Sequence, residues 1–499
     1  MLDLKKIENL KNQNLGFFRF KKLDDSQYLI TNEVGIYSFL TESEFKDFIS
    51  GGLVSGDKYN ELLEKRFIKR DTYERDMAIM YAQKNGFLGF GPSLHIVVTT
   101  LRCNHKCQYC HAAAAPETAK NMDMTKDTAK KVVDTIFYTS NNNITIEFQG
   151  GEPLLNWEIV RYIVEYSKVK ASHLMKNVTF ALVTNLTLMD EEKLDYIIEN
   201  NIDISTSLDG DEETHNFNRT FNNGNSFEKV IYWINKINDT YKEKNIDKRV
   251  GALLTVTRKT LDKYKEVIDT YVGLGLDGIF LRALNPYGFA TKDIEKLGYT
   301  ADEFVDFYKK SMDYIIDLNK AGVIFREKLS TIFLYKILTS NDPNYLDERS
   351  PCGACIGQVA YNYDGKVYSC DEGRMLGRMG DDNFMMIDLN DIDFTDSPGQ
   401  EAYKNMIDSE TTKVMVQAST LDGLPGYNDS VYKPYIGVCP IYSYKMTGNI
   451  IPNYRKDQKR KLDYAVLDYL FSKIRDQEIK NIFLKWINLD LSIDAKESC

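Results

Sequence analysis

The middle of the chain alternates between short apolar runs and longer stretches with helical periodicity. Runs of about four to eight apolar or β-branched residues, bounded by turn residues, predict buried strands. A helical pattern over Glu158–Lys170 separates the second run from the third. The predicted strands cover residues 94–100, 144–148, 178–185, 202–210, 249–257 and 278–284. This alternation predicts an α/β fold in which a parallel sheet curls as a partial (β/α)6 barrel over residues 90–340.

Residues 1–85 follow another pattern, which predicts a separate small α+β module. Short alternating runs begin at Phe17, Tyr28 and Ile36 and indicate strands. Thr41-Glu-Ser-Glu44 is a capping box that opens a helix, and a second helix is expected around Lys58–Arg66. Strands followed by helices at this size predict a winged-helix-like module.

The last third of the chain begins at a polar, proline-containing break over residues 341–351, a predicted domain boundary. Tyr361–Tyr368 predicts a hairpin that turns at Asp364-Gly365. We therefore expect a second domain over residues 345–450. Apolar residues with helical spacing, such as Leu462, Val466 and Leu470, predict a terminal helical segment over residues 451–499.

Composition narrows the classes of protein that fit this pattern. The chain has 499 residues, 43% of them hydrophobic, enough for two or three packed domains. Its net charge of −10 counts against a nucleic-acid partner, which usually meets a basic surface. Met1–Asn14 lacks the apolar region of a secretion signal, and no apolar run approaches the roughly 18 residues of a membrane span. We therefore expect a cytoplasmic protein, whose eight cysteines are metal ligands or catalytic thiols rather than disulfides.

The first cysteines, Cys103, Cys107 and Cys110, form a C-x3-C-x2-C triplet directly after the first predicted barrel strand. Three thiolates on one tight loop can hold three corners of a [4Fe–4S] cluster. A closed zinc site needs a fourth ligand, which His105 or His111 could supply, and a buried structural trio is a third reading. The carboxyl end of a barrel strand is where α/β barrels place their chemistry.

The second predicted strand leads into Gly150-Gly-Glu-Pro153. Glycines let the backbone approach a ligand closely, and Glu152 offers a carboxylate for an ammonium group. With the cysteine triplet one βα unit earlier, the sequence resembles the radical S-adenosylmethionine (radical SAM) superfamily. The resemblance implies that Cys103, Cys107 and Cys110 bind a [4Fe–4S] cluster whose fourth iron takes the amino and carboxylate groups of S-adenosylmethionine. It also implies that Tyr109 lies beside the adenine, and that Glu152 with the Gly150-Gly151 backbone meets the methionyl amino group.

Two further strings resemble this family. Thr184-Asn185 resembles its T-N-G turn, although Leu186 stands where the family has glycine. Ser207-Leu-Asp-Gly210, followed by His215 and Arg219, resembles a stretch of the peptide-modifying members. The resemblance implies contacts to S-adenosylmethionine from Thr184, Ser207 and Arg219. In the alternative reading, Asp209-Gly210 is an ordinary turn and Arg219 an ion-pair partner.

The later cysteines resemble the SPASM extension of radical SAM enzymes. The spacing from Cys352 or Cys355 through Gly365 to Cys370 fits the opening of that extension, which normally holds two auxiliary [4Fe–4S] clusters. Ile436 stands where a later ligand would be, three residues before Cys439, so we expect that one auxiliary cluster is lost. One auxiliary [4Fe–4S] cluster is expected on Cys352, Cys355, Cys370 and Cys439, with Cys499 spare, or else these are reduced structural thiols. Two cubane clusters predict about eight irons per chain.

Local strings narrow the resemblance to the His-Xaa-Ser system maturases, which are radical SAM/SPASM enzymes predicted to modify a small partner peptide. These strings are Arg282–Ala290, the Cys352–Cys370 hairpin and Cys370–Arg374. Anaerobic sulfatase maturases are more distant relatives with a Cys-Asp step like Cys370-Asp371, which makes Asp371 a candidate general base. The amino-terminal module resembles a leader-recognition domain that captures a precursor peptide by strand addition, or else it only caps the barrel.

The predicted function is that of a peptide maturase that forms a 5′-deoxyadenosyl radical and abstracts hydrogen from a peptidyl residue. Its predicted partners are S-adenosylmethionine, a precursor peptide or protein, and an electron donor such as flavodoxin or ferredoxin. Two alternatives stay open at this point. One is a radical SAM enzyme acting on a small metabolite, and the other is a non-catalytic iron–sulfur or zinc protein.

Overall fold

The three alternating runs near the amino terminus form an antiparallel sheet in the computed structural model. The structure describes residues 14–395 and 399–497, with side chains up to residue 488. The strands β1 (Arg19–Lys22), β2 (Gln27–Thr31) and β3 (Tyr37–Thr41) pair in the order β1-β2-β3. Three helices follow them: α1 (Glu42–Ser50), α2 (Asp57–Glu64) and α3 (Tyr73–Lys84). The predicted capping box is confirmed, because Thr41 and Glu44 bond reciprocally at the start of α1.

The barrel strands and their short companions come next along the chain. The strands are β4 (Leu94–Thr100), β5 (Arg102–Cys103), β6 (His105–Cys107), β7 (Ala115–Pro116), β8 (Asn143–Gly150), β9 (Asn177–Thr184), β10 (Ile202–Ser207), β11 (Arg219–Phe221), β12 (Gly251–Thr255), β13 (Gly278–Ile279), β14 (Leu281–Arg282) and β15 (Arg326–Glu327). The helices are α4 (Lys126–Ile136), α5 (Trp157–Leu174), α6 (Glu191–Glu199), α7 (Glu212–Asn218), α8 (Ser226–Glu243), α9 (Tyr264–Gly273), α10 (Ile294–Leu297), α11 (Ala301–Lys320) and α12 (Lys328–Thr339).

Six strands pair in parallel in the order β14-β12-β10-β9-β8-β4, as the alternating pattern predicted. Alternate residues of these strands, such as Ile146, Phe148 and Leu182, are fully buried in the main hydrophobic core. The predicted strand 278–284 is instead divided into two pieces. β14 pairs with β12, whereas β13 pairs with β15, so the run changes partners at Phe280. The carboxyl ends of the parallel strands meet at one edge, where the predicted site residues lie.

The remaining elements are β16 (Gln358–Tyr361), β17 (Lys366–Tyr368), β18 (Met385–Asp388), α13 (Asp371–Arg378), α14 (Gln400–Ile407), α15 (Glu410–Ser419), α16 (Pro440–Thr447), α17 (Gln458–Lys473) and α18 (Gln477–Glu497). The predicted hairpin is confirmed, since β16 and β17 pair antiparallel around Gly365, whose φ is +93°. β16 also pairs in parallel with β4, with Ala360 opposite Ile96. The segment after the predicted boundary therefore extends the barrel sheet, and the two share a core.

The carboxyl-terminal helices pack between the barrel and the amino-terminal module. On α17, Val466, Leu467 and Leu470 are buried, which confirms the predicted helical periodicity. Phe471 packs edge-on against Tyr37 and Phe39 of β3. Within the described residues, no helix combines the length and apolar character that crossing a membrane requires.

Candidate functional site

The cysteine triplet lies on a loop at the carboxyl end of β4. Its three thiols open onto one cavity of about 680 Å³, here called the catalytic cavity, which the Gly150-Gly151 backbone, Ser207 and Arg219 also line. β6 pairs antiparallel with β11, with Cys107 opposite Arg219, so a strand ladder holds the loop. Burial raises the pKa of the Cys107 thiol to about 12, and a bound metal would remove that proton.

Asp209 organises the wall behind these thiols. Its buried carboxylate accepts hydrogen bonds from the Tyr109 hydroxyl (2.6 Å) and from Arg219 Nε (3.0 Å) and Nη2 (3.3 Å). The Arg219 guanidinium lies 5.3 Å from the centre of the Tyr109 ring, and its Nη1 is 3.9 Å from Cys107 Sγ. Arg219 is therefore an ion-pair partner that also lines the catalytic cavity, and its contact with S-adenosylmethionine stays a prediction. Asp209 does more than form a turn.

The glycine pair brings the end of β8 against the cysteine loop. Gly150 has a φ of +142°, and a Cβ there would stand 2.0 Å from the carbonyl oxygen of Thr100. A Cβ on Gly151 would stand 2.2 Å from the carbonyl oxygen of Arg102. Only glycine fits at these two positions, and the backbone they expose is part of the cavity wall.

The Glu152 carboxylate is engaged by groups of the protein itself. Its carboxylate is fully buried and accepts hydrogen bonds from Thr184 Oγ1 (2.7 Å) and from the backbone N–H groups of Asn185 (2.8 Å) and Leu154 (3.1 Å). The carboxylate is thus bonded to the protein and ties β8 to the end of β9. The neighbouring glycine backbone, rather than this carboxylate, faces the cavity.

Glu152 predicts a pH dependence of stability. Burial raises the pKa of its carboxyl from 4.5 to about 7. Between these values the folded protein keeps a proton that the unfolded chain has released, so the free energy of unfolding falls as pH rises through this window. The expected fall is about 3 kcal/mol by pH 7. Urea unfolding of the parent and Glu152→Gln at pH 5 to 8 tests this. The difference between the two proteins should change across the window, and a constant difference would contradict the assignment.

The turn after β9 has a left-handed backbone at Leu186, the position where the family motif has glycine. Leu186 adopts a φ of +59°, and its backbone N–H donates to Thr184 Oγ1 at 3.1 Å. Asn185 Nδ2 donates to Asn104 Oδ1 at 2.9 Å and lies 3.9 Å from Cys103 Sγ. Thr184 therefore supports the site through Glu152 and this turn, and it also lines the catalytic cavity.

His105 and His111 are the histidines that could supply the fourth ligand of a zinc site. His105 is buried, with its ring nitrogens within 3.2 Å of Asn104 Oδ1 and 2.9 Å of Ser226 Oγ, and it stacks on Phe221. His111 lines the cavity, and its Nε2 is buried without a hydrogen-bond partner. Among the residues that the structure describes, no three His, Cys, Asp or Glu side chains stand in an arrangement that holds a single metal ion.

Two of the later cysteines line a second, smaller cavity. This auxiliary cavity, of about 160 Å³, is lined by Cys352, Cys439, Glu372, Asp347 and Tyr287 among others. Cys370 is buried next to this cavity. Burial has the largest effect in raising the pKa of its thiol, and Glu372, Cys439 and Cys352 raise it further. Cys355 is fully buried but does not line this cavity. Cys499 lies outside the described residues.

Asp371, the candidate base, is engaged by an arginine. Arg374 Nε (2.8 Å) and Nη2 (2.6 Å) both donate to Asp371 Oδ1, and Arg374 is 2% exposed with an unpartnered Nη1. Arg374 therefore engages the carboxylate that the sequence proposed as a base. The next residue, Glu372, faces Arg282 at 3.9 Å and lines the auxiliary cavity. Arg282 lines both cavities. Sequence reasoning missed Glu372 and Arg282, although both lie inside strings that carried the family resemblance.

Comparison with known proteins adds to this geometry. A family model described as the Radical SAM superfamily matches residues 97–254, the span from β4 to β12 that carries the triplet, the glycine pair and Arg219. The chain contains a radical SAM domain. The prediction of an enzyme is thereby confirmed, while the narrower resemblance to His-Xaa-Ser system maturases stays a prediction.

Relatives of this radical SAM protein include two named enzymes. It is 23% identical over 380 residues to the radical SAM cyclopropyl synthase TigE of Paramaledivibacter caminithermalis, covering 71% of this chain and 72% of TigE. It is 26% identical over 295 residues to a cysteine-type anaerobic sulfatase-maturating enzyme of Clostridium perfringens, covering 56% of this chain and 74% of that enzyme. Among solved structures, native anSMEcpe with bound AdoMet and the Kp18Cys peptide has a TM-score of 0.61 at 16% identity, over 79% of this chain and 100% of that chain. That likeness shows a shared fold.

Proposed function

We propose that this protein is a peptide or protein maturase that cleaves S-adenosylmethionine and abstracts hydrogen from a residue of its substrate. The observation that carries the proposal is the catalytic cavity. Three thiols, exposed glycine backbone and a buried Arg219–Asp209 pair converge there at the carboxyl ends of parallel strands. A donor set of three cysteines that leaves one corner open fits a [4Fe–4S] cluster with a site for a ligand.

Each residue of the cavity has a separate task in this proposal. Cys103, Cys107 and Cys110 would hold the cluster, which when bound supplies the electron that splits S-adenosylmethionine into methionine and a 5′-deoxyadenosyl radical. The Gly150-Gly151 backbone and Ser207 orient the cofactor. Arg219, fixed by Asp209, places a positive charge beside Cys107 and favours its thiolate.

Two observations support a peptide rather than a small metabolite as substrate. Two relatives are named as a sulfatase-maturating enzyme and a cyclopropyl synthase, and anSMEcpe is described with a bound peptide. Within the described residues, β1 pairs on one side only, with β2, and its Phe20 is 56% exposed. A free sheet edge beside an exposed aromatic ring suits strand addition by a peptide. The narrower assignment to the His-Xaa-Ser system maturases belongs to this proposal.

The auxiliary cavity extends the proposal to a second cofactor. We assign one auxiliary [4Fe–4S] cluster to Cys352 and Cys439, which line the cavity, and to Cys370 beside them, while Cys355 stays the fourth candidate ligand. In the position of the lost second cluster, the segment before Cys439 is held by protein contacts. Lys433 pairs with Glu33 of the amino-terminal module, and the Tyr435 hydroxyl donates to the Gly35 carbonyl at 2.7 Å.

The proposal is tested with the full-length protein after anaerobic reconstitution with iron and sulfide. With S-adenosylmethionine and dithionite in place of the flavodoxin- or ferredoxin-type donor, we expect 5′-deoxyadenosine in chromatograms. Addition of a short peptide encoded beside the gene should increase its yield and change the mass of the peptide. Formation of 5′-deoxyadenosine without modification of any peptide would contradict the maturase assignment. No 5′-deoxyadenosine would contradict the radical mechanism itself.

A further inference from the structure

Tyr287 is a buried tyrosine whose hydroxyl has no hydrogen-bond partner. Its side chain is 1% exposed and lines the auxiliary cavity together with Cys352 and Cys439. Two tyrosines elsewhere in the barrel have partners for their hydroxyls. Tyr271 donates to the Leu208 carbonyl at 2.6 Å, and Tyr299 accepts from the Leu284 N–H at 2.8 Å. A buried hydroxyl without a partner is costly, so its position indicates an acceptor that enters the cavity.

The chain around Tyr287 runs between the two proposed cofactor sites. The Phe289 backbone N–H donates to the Cys110 carbonyl at 2.9 Å, and the Gly288 N–H donates to Met379 Sδ at 3.3 Å. Gly288 has a φ of +55°, and a Cβ there would stand 2.2 Å from the Cys110 carbonyl oxygen. The backbone is therefore fixed against the catalytic loop while the Tyr287 ring extends into the auxiliary cavity.

The surroundings of the phenol make it a permanent donor. Burial raises the pKa of Tyr287 well above its usual range, and the next largest effects come from Cys439, Glu372 and Cys370. Cys352, Cys439 and Glu372 line the same cavity as the ring, and Glu372 faces Arg282 at 3.9 Å. The thiolates and the sulfides they would hold are therefore among the acceptors within this cavity.

We propose that the Tyr287 hydroxyl donates a hydrogen bond to a sulfur atom of the auxiliary cluster held by Cys352, Cys370 and Cys439, and so raises its reduction potential. The inference rests on the proposed auxiliary cluster. A hydrogen bond to sulfur stabilises the more negative, reduced form, and such bonds are among the means by which proteins set cluster potentials. Tyr287 is a positioning and tuning residue in this proposal, and it takes no part in cleavage of S-adenosylmethionine.

The test uses the full chain carrying Cys103→Ala, Cys107→Ala and Cys110→Ala, so that only the auxiliary site can be reconstituted. About four irons per chain are expected in this background. Redox titration followed by electron paramagnetic resonance should then give a more negative potential for Tyr287→Phe than for its parent. Tyr271→Phe, which removes a buried hydroxyl that lines neither cavity, should leave the potential unchanged.

A second readout separates this role from a purely structural one. Without iron, Tyr287→Phe should melt at a higher temperature than its parent, because it removes an unsatisfied buried hydroxyl. With the cluster bound, that advantage should disappear. An unchanged potential at about four irons would overturn the role of Tyr287 and leave the auxiliary cluster standing. Absence of iron from the triple variant would overturn both.

Discussion

Replacing Cys107 with alanine is expected to abolish formation of 5′-deoxyadenosine and to lower the iron content by about four atoms per chain. Cys107 ends β6, where it is held opposite Arg219 of β11, and its Sγ lies 3.9 Å from Arg219 Nη1. Alanine leaves this ladder intact but offers no thiolate. A cluster held by only two of its three cysteines is not expected to survive desalting, and activity depends on it.

The measurement compares iron, acid-labile sulfide and 5′-deoxyadenosine in the parent and the Cys107→Ala variant after identical anaerobic reconstitution. Thr118→Ala is the matched control, because Thr118 is exposed a few residues beyond the triplet and does not line the catalytic cavity. It should retain the iron content and the activity of the parent. Full activity in Cys107→Ala would contradict the assignment of the triplet.

Replacing Asp209 with alanine is expected to destabilise the protein by about 3–5 kcal/mol, because it leaves a buried arginine without its counter-charge. Asp209 is fully buried and accepts from Tyr109, from two nitrogens of Arg219 and from the Thr255 N–H. Loss of the carboxylate also releases Tyr109 and Arg219 from the cavity wall. Binding of S-adenosylmethionine should weaken together with stability.

Urea unfolding and equilibrium binding of S-adenosylmethionine measure the two effects of Asp209→Ala. Asp203→Ala is the matched control, since Asp203 lies on the same strand and pairs with Lys248 at the surface. Exposed pairs contribute about 0–1 kcal/mol, so this variant should unfold almost like the parent. Equal stability losses in the two variants would show that the buried pair does not organise the site.

The sequence predicted the local elements of this fold well, because their signals lie within a few neighbouring residues. The capping box at Thr41, the turn at Gly365 and the six parallel strands all follow from short patterns. The sequence predicted strand pairing less well where the partner strand is distant along the chain. The run 278–284 reads as one strand, but its halves pair with β15 and β12, whose positions no local window contains.

The site shows the same difference between local signals, which the sequence carries, and distant contacts, which it does not. The sequence identified the triplet, the glycine pair and Arg219, and the structure brings them to one cavity. It assigned Glu152 to a ligand, whereas the carboxylate is occupied by Thr184 and two backbone N–H groups. It proposed Asp371 as a base, but Arg374 holds that carboxylate from the next turn of α13. A residue type and its spacing indicate what a side chain can do, and its neighbours decide what it does.

The sequence by itself determined the chemistry available to this protein. Three thiols on a loop after a β-branched strand, followed by a glycine pair, are local features that survive any arrangement of the rest of the chain. Only the tertiary structure decided which groups share a cavity. Pairing of β16 with β4 joins the auxiliary segment to the barrel, and the path back to Cys439 brings that thiol close to Cys370 and Tyr287. These contacts depend on how whole surfaces pack, and packing is a property of the folded chain rather than of any segment.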